Sequence, residues 1–438
     1  MSSIRLVAQT REIPPVDDLL AYASAANPTA WLRRGEGIVA AGDEVVDLIR
    51  IPAGRDRKRS DIIADAWREI AAVAEIDDPL QLPGTGLVAF GALAFDERSS
   101  SDSILTVPAT IIGRRDGRSW ITRIRTVDAD FAPVPEITAN GPQWAGRVGP
   151  GAQGPQGYQD AVRGALAEIA AGEYSKVVLA RDLTGTVPAD ADLRRLVHAL
   201  ADGYPDTWTF AVDGLIGASP ETLVTAHQRT VTARVLAGTA ARGADPDADT
   251  AASAALEASA KDREEHRYAV QSVLTALGPH TQALAASDDP FVLELPNLFH
   301  LATDVAGTLG DGASSLDLVG VMHPTAAVAG TPTDVAIEAI RRIEPFDRGR
   351  YAGPVGWIDS SGDGEWAIAL RCAQFGDIPD TADGPDAAAA ATDDGEEHAF
   401  VPRRVTAYAG AGIVAGSDPE SELLETRVKF RPLVDALA

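Results

Sequence analysis

The sequence predicts an α+β fold, because strand-like runs and helical periods are mixed without the regular order of a parallel α/β sheet. Several strand-like runs also follow one another directly, and 438 residues at 45% hydrophobic composition suffice for one large core or two smaller ones. Residues 1 to about 140 combine a helical pattern, SDIIADAWREIAAVAEI, with the strand-like runs GLVAFGALAF, SILTVPATIIG and SWITRIRTV. They hold no constellation with assignable chemistry, so residues 1–152 read as an N-terminal scaffold subdomain. The Gly/Pro/Gln-rich stretch GPQWAGRVGPGAQGPQGY reads as a loop and places a boundary near Gln153.

Residues 153–438 open with the helix pattern YQDAVRGALAEIAAGEY, followed by the strand SKVVLARDLTG and by a strand and turn in WTFAVDGLIGASPETLVTA. VTARVLAGTAARG, the helix DREEHRYAVQSVLTAL and LPNLFHLATDVAGTL come next, then the strands GEWAIALRCAQF and RRVTAYAGAGIVAG. Between those two strands, residues 377–402 are acidic and Ala-rich with no apolar period, which predicts a flexible surface insertion.

A net charge of −26 argues against a nucleic-acid partner, since phosphate attraction needs cationic surface. The single cysteine, Cys372, forms no internal disulfide and reads as a buried structural thiol. The start MSSIRLVAQTREIPPVDD has no signal-peptide core, and no apolar run reaches the roughly 18 residues of a membrane span. A soluble, cytoplasmic protein with no membrane partner is expected. Only four of the 38 cationic residues are lysine, namely Lys58, Lys176, Lys261 and Lys429. Arginine serves almost everywhere else, and lysine differs from it in being able to give up its proton.

Lys176 opens an apolar strand, where it reads either as an edge-strand charge or as a general base. Glu221 follows a Ser-Pro turn; alone it reads as a solvated turn residue, and with Lys176 it completes an acid–base couple. Near the C-terminus Asp418 and Pro419 supply an N-cap and an N1 proline, and Glu422, Glu425 and Lys429 then share one helix face. That face reads either as a salt-bridge ladder or, with a carboxylate from DREEHRYAV, as hard oxygen ligands for Mg²⁺. The glycines of GAGIVAG do not fit a dinucleotide fingerprint; they suit backbone N–H groups approaching a carboxylate in a small anion nest. No HExxH occurs among the seven histidines, and His300 is a better candidate than His323 for lining a site.

Eight segments, SKVVLAR, ASPETL, VLAGTAARG, DREEHRYAV, HPTAAVAG, GRYAGPVGW, WAIALRCA and AYAGAGIVAGSDPESELLETRVK, in this order from about residue 155 to the end, resemble the chorismate-binding enzyme family. The resemblance implies one α+β unit of layered antiparallel sheets and helices, like that of anthranilate synthase component I, enclosing the site. It implies Lys176 as the base that activates water and Glu221 as the acid that protonates the departing C4 hydroxyl of chorismate. Glu265 and Glu425 would ligate Mg²⁺, with Glu422 binding it directly or through water. Arg371 and Lys429 would meet substrate carboxylates beside the amides of Gly410, Ala411 and Gly412, with Gly238 and Thr239 near the ring and His300 lining the site.

Position 237 is Ala, where aminodeoxychorismate synthases carry a nucleophilic lysine, and Lys176 stands where anthranilate synthases have glutamine. HPTAAVAGTP, with Ala327 and Val328, resembles the isochorismate synthase pattern. The implied activity is therefore that of an isochorismate synthase, of the kind serving menaquinone or siderophore biosynthesis, with no glutamine amidotransferase subunit. Salicylate synthase, which eliminates pyruvate from bound isochorismate, is the near alternative, and a non-catalytic chorismate-binding scaffold the distant one.

Overall fold

Two large antiparallel sheets face each other, and strands from both sides of position 153 enter each of them. The computed structural model describes residues 4–287, 289–376 and 402–438. The larger sheet runs from Arg147–Pro150 and Lys176–Pro188 through Pro402–Ile413, Cys372–Phe375, Leu215–Ser219 and Trp208–Val212. It continues into Ala30–Arg33, Glu36–Ala40, Thr110–Arg115, Arg118–Thr126 and Leu6–Ile13, ending in a parallel pairing with Glu75–Asp77. The smaller sheet runs from Thr281–Ala286 through Leu298–Leu309, Thr230–Ala241, Thr222–His227, Gly364–Ile368 and Pro354–Asp359 to Val88–Ala92, Ser103–Pro108 and Val45–Ile51. The α+β class is the observed one, and residues on either side of position 153 share both sheets.

Side chains such as Phe90, Trp120, Trp357 and Trp366 fill a main core, and a smaller one lies under the helices Arg194–Gly203 and Pro419–Leu437. Apolar burial of this kind supplies roughly 1.5–3 kcal/mol per large side chain. The helix Ala260–Leu277 is capped by Ser259, whose hydroxyl accepts from Asp262 N, and Pro419–Leu437 by Asp418, which accepts from Ser421 N.

Two expectations are corrected by the tertiary structure. GEWAIALRCAQF is not one strand: Gly364–Ile368 belongs to the smaller sheet and Cys372–Phe375 to the larger, with the crossing at Ala369–Arg371. Both halves are buried, so the apolar pattern runs on without a break, and the turn rests on Arg371 in the left-handed region at φ 49°. The Gly/Pro-rich linker is also not all loop, because Arg147–Pro150 pairs along the edge that Lys176–Pro188 would otherwise leave open. The expected insertion over residues 377–402 lies outside the described residues, apart from Pro402, which opens the last strand. Among the described residues no helix is long and apolar enough to cross a membrane.

Candidate active site

Lys176 is the first residue of its strand, yet it lies on no open edge. Thr331 pairs with it on one side, and Ile413 pairs with its neighbour Val177 on the other. Its side chain is 0% exposed, which removes the reading as a solvated edge charge. The Nζ sits 3.1 Å from Glu265 Oε1 but makes no well-aligned hydrogen bond with any described group. Glycine is needed opposite: a Cβ at Gly412 would come within 2.1 Å of Glu265 Oε1 and 3.1 Å of Lys176 Cε.

Glu221 and Arg371 occupy neighbouring crossings between the sheets. Pro220–Glu221 joins Leu215–Ser219 of the larger sheet to Thr222–His227 of the smaller, and Ile368 N, at the other crossing, donates to Glu221 O at 3.1 Å. Burial pushes the Glu221 carboxyl up to about 8, against the opposing pull of Lys176, Lys429 and Arg371, so it carries its proton at neutral pH. Arg371 Nη2 donates to His300 Nε2 at 3.1 Å, while His300 Nδ1 lies 3.2 Å from both Gly238 O and Thr239 Oγ1. A carbonyl only accepts, so Nδ1 carries the hydrogen, and burial beside Arg371 holds the ring well below its usual range, hence neutral.

The three carboxylates come from two helices, and a lysine answers each. Glu265 meets Lys176, Glu422 meets Lys261 at 2.8 Å, and Glu425 meets Lys429 at 2.5 Å. Three of the four lysines in the chain are thereby gathered here. The Glu425–Lys429 pair of the predicted ladder does form, but its side chains are mostly buried and Lys429 Nζ also donates to Gly410 O at 2.9 Å. Burial and the neighbouring Glu425 raise the Glu422 carboxyl, as two adjacent carboxylates must.

A cavity of ≈ 60 Å³ joins most of these groups. Of the residues expected at the site, Glu221, Gly238, Thr239, Glu265, His300, Ala327, Val328, Arg371, Gly410, Ala411, Gly412, Glu425 and Lys429 line it. Lys176, paired with Glu265, and Glu422, paired with Lys261, are not among the residues that line it. Gly410 to Gly412 lie in an extended strand paired with Val178–Ala180, so they form no concave nest; alternate amides face each edge. The Gly410 carbonyl is turned to Lys429, and its N–H shares that edge.

Arg348, Tyr351 and Leu370 also line the cavity without having been singled out in the sequence; GRYAGPVGW contains Tyr351 and WAIALRCA contains Leu370, while Arg348 falls just before the first of these motifs. Lys261 was flagged only by lysine scarcity. His323 lines another cavity, and the Cys372 thiol is fully buried, donating to Ala369 O.

A protonated carboxylic acid, a buried lysine and carboxylates on two helices, held where two sheets exchange strands, define an enzyme built for acid–base work on a small polar molecule. The chain belongs to the family described as chorismate binding enzyme, whose sequence profile matches residues 2–378 and 399–438. It is 39% identical over 295 residues to the isochorismate synthase DhbC of Bacillus subtilis, covering 65% of this chain and 68% of that protein. It is 35% identical over 368 residues to a putative isochorismate synthase MenF of Mycobacterium tuberculosis, covering 81% and 87%. The crystal structure of a putative 2,3-dihydroxybenzoate-specific isochorismate synthase, DhbC, from Bacillus anthracis superposes with a TM-score of 0.73 at 29% identity, over 96% of this chain and 98% of that one.

Proposed function

We propose that this chain is a Mg²⁺-dependent isochorismate synthase, an isomerase that adds water at C2 of chorismate as the C4 hydroxyl departs. The observation that carries the reading is Glu221, held protonated by burial in the cavity that Lys429 and Arg371 also line, with Lys176 close enough to act on its charge. Lys176 takes the proton of the attacking water while Glu221 gives its own to the leaving hydroxyl, so one water enters and one leaves. The ring double bonds shift to match, and proton exchange restores both side chains. Arg371, oriented by neutral His300, and Lys429 receive the substrate carboxylates, with the Gly410 amide, on the edge that faces Lys429, beside them.

The donor set fits Mg²⁺, which takes a few hard carboxylate oxygens and keeps waters. Among the described residues no three ligating side chains converge as they lie, because each carboxylate is turned to a lysine. Glu265 and Glu425, which line the cavity, would hold the ion, with Glu422 reaching it directly or through water. When bound, it supplies positive charge between these glutamates and an anionic substrate.

Purified protein is to be incubated with chorismate and Mg²⁺ and the products resolved chromatographically. Isochorismate is expected, with loss of turnover on EDTA treatment and in Glu425→Gln. Equal amounts of salicylate and pyruvate would establish the salicylate synthase reading instead, no turnover would leave a binding scaffold, and full activity in metal-free buffer would remove Mg²⁺.

A further inference from the structure

A second cavity of ≈ 730 Å³ shares a wall with the first: Ala326 lines it, while the next residues, Ala327 and Val328, line the catalytic one. Leu93, Phe95, Val319, Met322 and Ile337 give it an apolar interior, and its size suits a small organic ligand. Two of its cations are already engaged. Arg59 donates to Ser101 O at 2.6 Å and lies 3.5 Å from Glu97, and Arg341 is paired with Asp96 at 2.9 Å. The third, Lys58, is exposed, and its Nζ bonds only the carbonyl of Gly320, at 3.2 Å. Among the described residues it is the one cation lining this cavity that meets no carboxylate. It is also the only lysine of the four outside the catalytic cluster. The rim carboxylate Asp334 sits in the first turn of the helix Thr333–Ile343, where the helix dipole favours it.

We propose that this cavity is an effector site for an aromatic carboxylate, whose ring enters the apolar interior and whose carboxylate meets Lys58. The Phe95 ring in the cavity lies 4.5 Å from the Arg348 guanidinium carbon, and Arg348 Nη1 holds Val328 O at 3.0 Å. His323 Nε2 donates to Phe95 O at 2.9 Å. A ligand pressing on Phe95 and His323 therefore acts on the segment that carries Ala327 and Val328 into the catalytic cavity. Coupling between the two sites follows from that shared segment.

The test uses the full chain and 1-naphthoate as probe, titrated by calorimetry. One saturable site is expected. Ser272→Trp, which fills the cavity from the helix Ala260–Leu277, should abolish it, and Lys58→Glu should weaken it by about tenfold or more, the effect of losing one favourable ion contact. Arg371→Ala, in the catalytic cavity, should leave the titration unchanged. Absence of saturable binding, binding that survives Ser272→Trp, or binding lost in Arg371→Ala would each overturn the site. Circular dichroism checks folding, and Lys58→Glu at the exposed rim keeps the test open should Ser272→Trp misfold.

The coupling rests on the proposed turnover of chorismate. Saturating probe should move the half-saturating chorismate concentration by about fivefold or more, the lower end of ordinary allosteric coupling, in the wild type and not in Ser272→Trp. Binding without that shift overturns the coupling. Absence of chorismate turnover overturns the functional reading alone, since the titration needs no substrate.

Discussion

Arg348 and Lys176 are both buried cations on the same strand's surroundings, and the chain treats them in opposite ways. Arg348 donates to both oxygens of Glu344, at 2.6 and 2.9 Å, and to the carbonyls of Val178 and Val328, while Glu344 also accepts from Ala180 N. Arg194 is treated alike, bonding both oxygens of Asp192 and the Thr138 hydroxyl. Among the described residues Lys176 has one carboxylate neighbour and no aligned acceptor. Satisfied guanidinium pairs fix a fold because the fork's donors find partners. A buried amine with donors left over is poor structural material, which favours the proposed role of Lys176 as a base.

The largest expected effect follows from that difference. Lys176→Gln should lower the isochorismate rate by about 10²–10⁴-fold, the usual contribution of a positioned general base, with little change in substrate affinity. Lys176→Arg should fail nearly as badly, since guanidinium keeps the charge but accepts no proton. Steady-state kinetics on both variants checks this; an arginine variant keeping more than about a tenth of the rate would make Lys176 an anion-binding charge instead.

Arg348→Met should act on stability, by about 3–5 kcal/mol, because Glu344 is left as a buried unpaired charge. Denaturant unfolding reads the loss, and the double variant Arg348→Met/Glu344→Leu should recover much of it. If the single change is harmless, the pair does not hold these segments together.

A smaller effect belongs to Glu221. Its folded-state value of about 8 lies above the ordinary 4.5, so between those pH values the folded chain binds more protons than the unfolded one. Stability from this residue therefore falls as pH rises through that window. The melting temperature of Glu221→Gln should gain on the wild type between pH 4.5 and 8, and wild-type turnover should decline as pH rises past about 8. Parallel melting curves with no widening gap would mean that the carboxyl titrates normally.

Much of the site was legible because its residues sit in compact motifs with local signals. Asp418 and Pro419 announce the helix that carries Glu422, Glu425 and Lys429, and the rarity of lysine singles out Lys176 and Lys261. The crossing in GEWAIALRCAQF was not legible, since periodicity reports which face is buried and not which sheet a strand joins. The extended backbone at Gly410–Gly412 was missed for a related reason: a run of small residues suits a nest and a strand equally, and pairing with Val178–Ala180 decided between them.

The sequence by itself determined the α+β class, the helix caps and the chemical types available: one glutamate after a Ser-Pro turn, a few lysines and a carboxylate-bearing helix face. Only the tertiary structure decided that Lys261 meets Glu422 across 161 positions of chain, that Glu221 and Arg371 stand at neighbouring crossings, and that a larger cavity lies behind the catalytic wall. Local patterns encode caps and faces through neighbours a few residues away, whereas proton affinity and charge pairing depend on burial and on partners brought together by sheet topology.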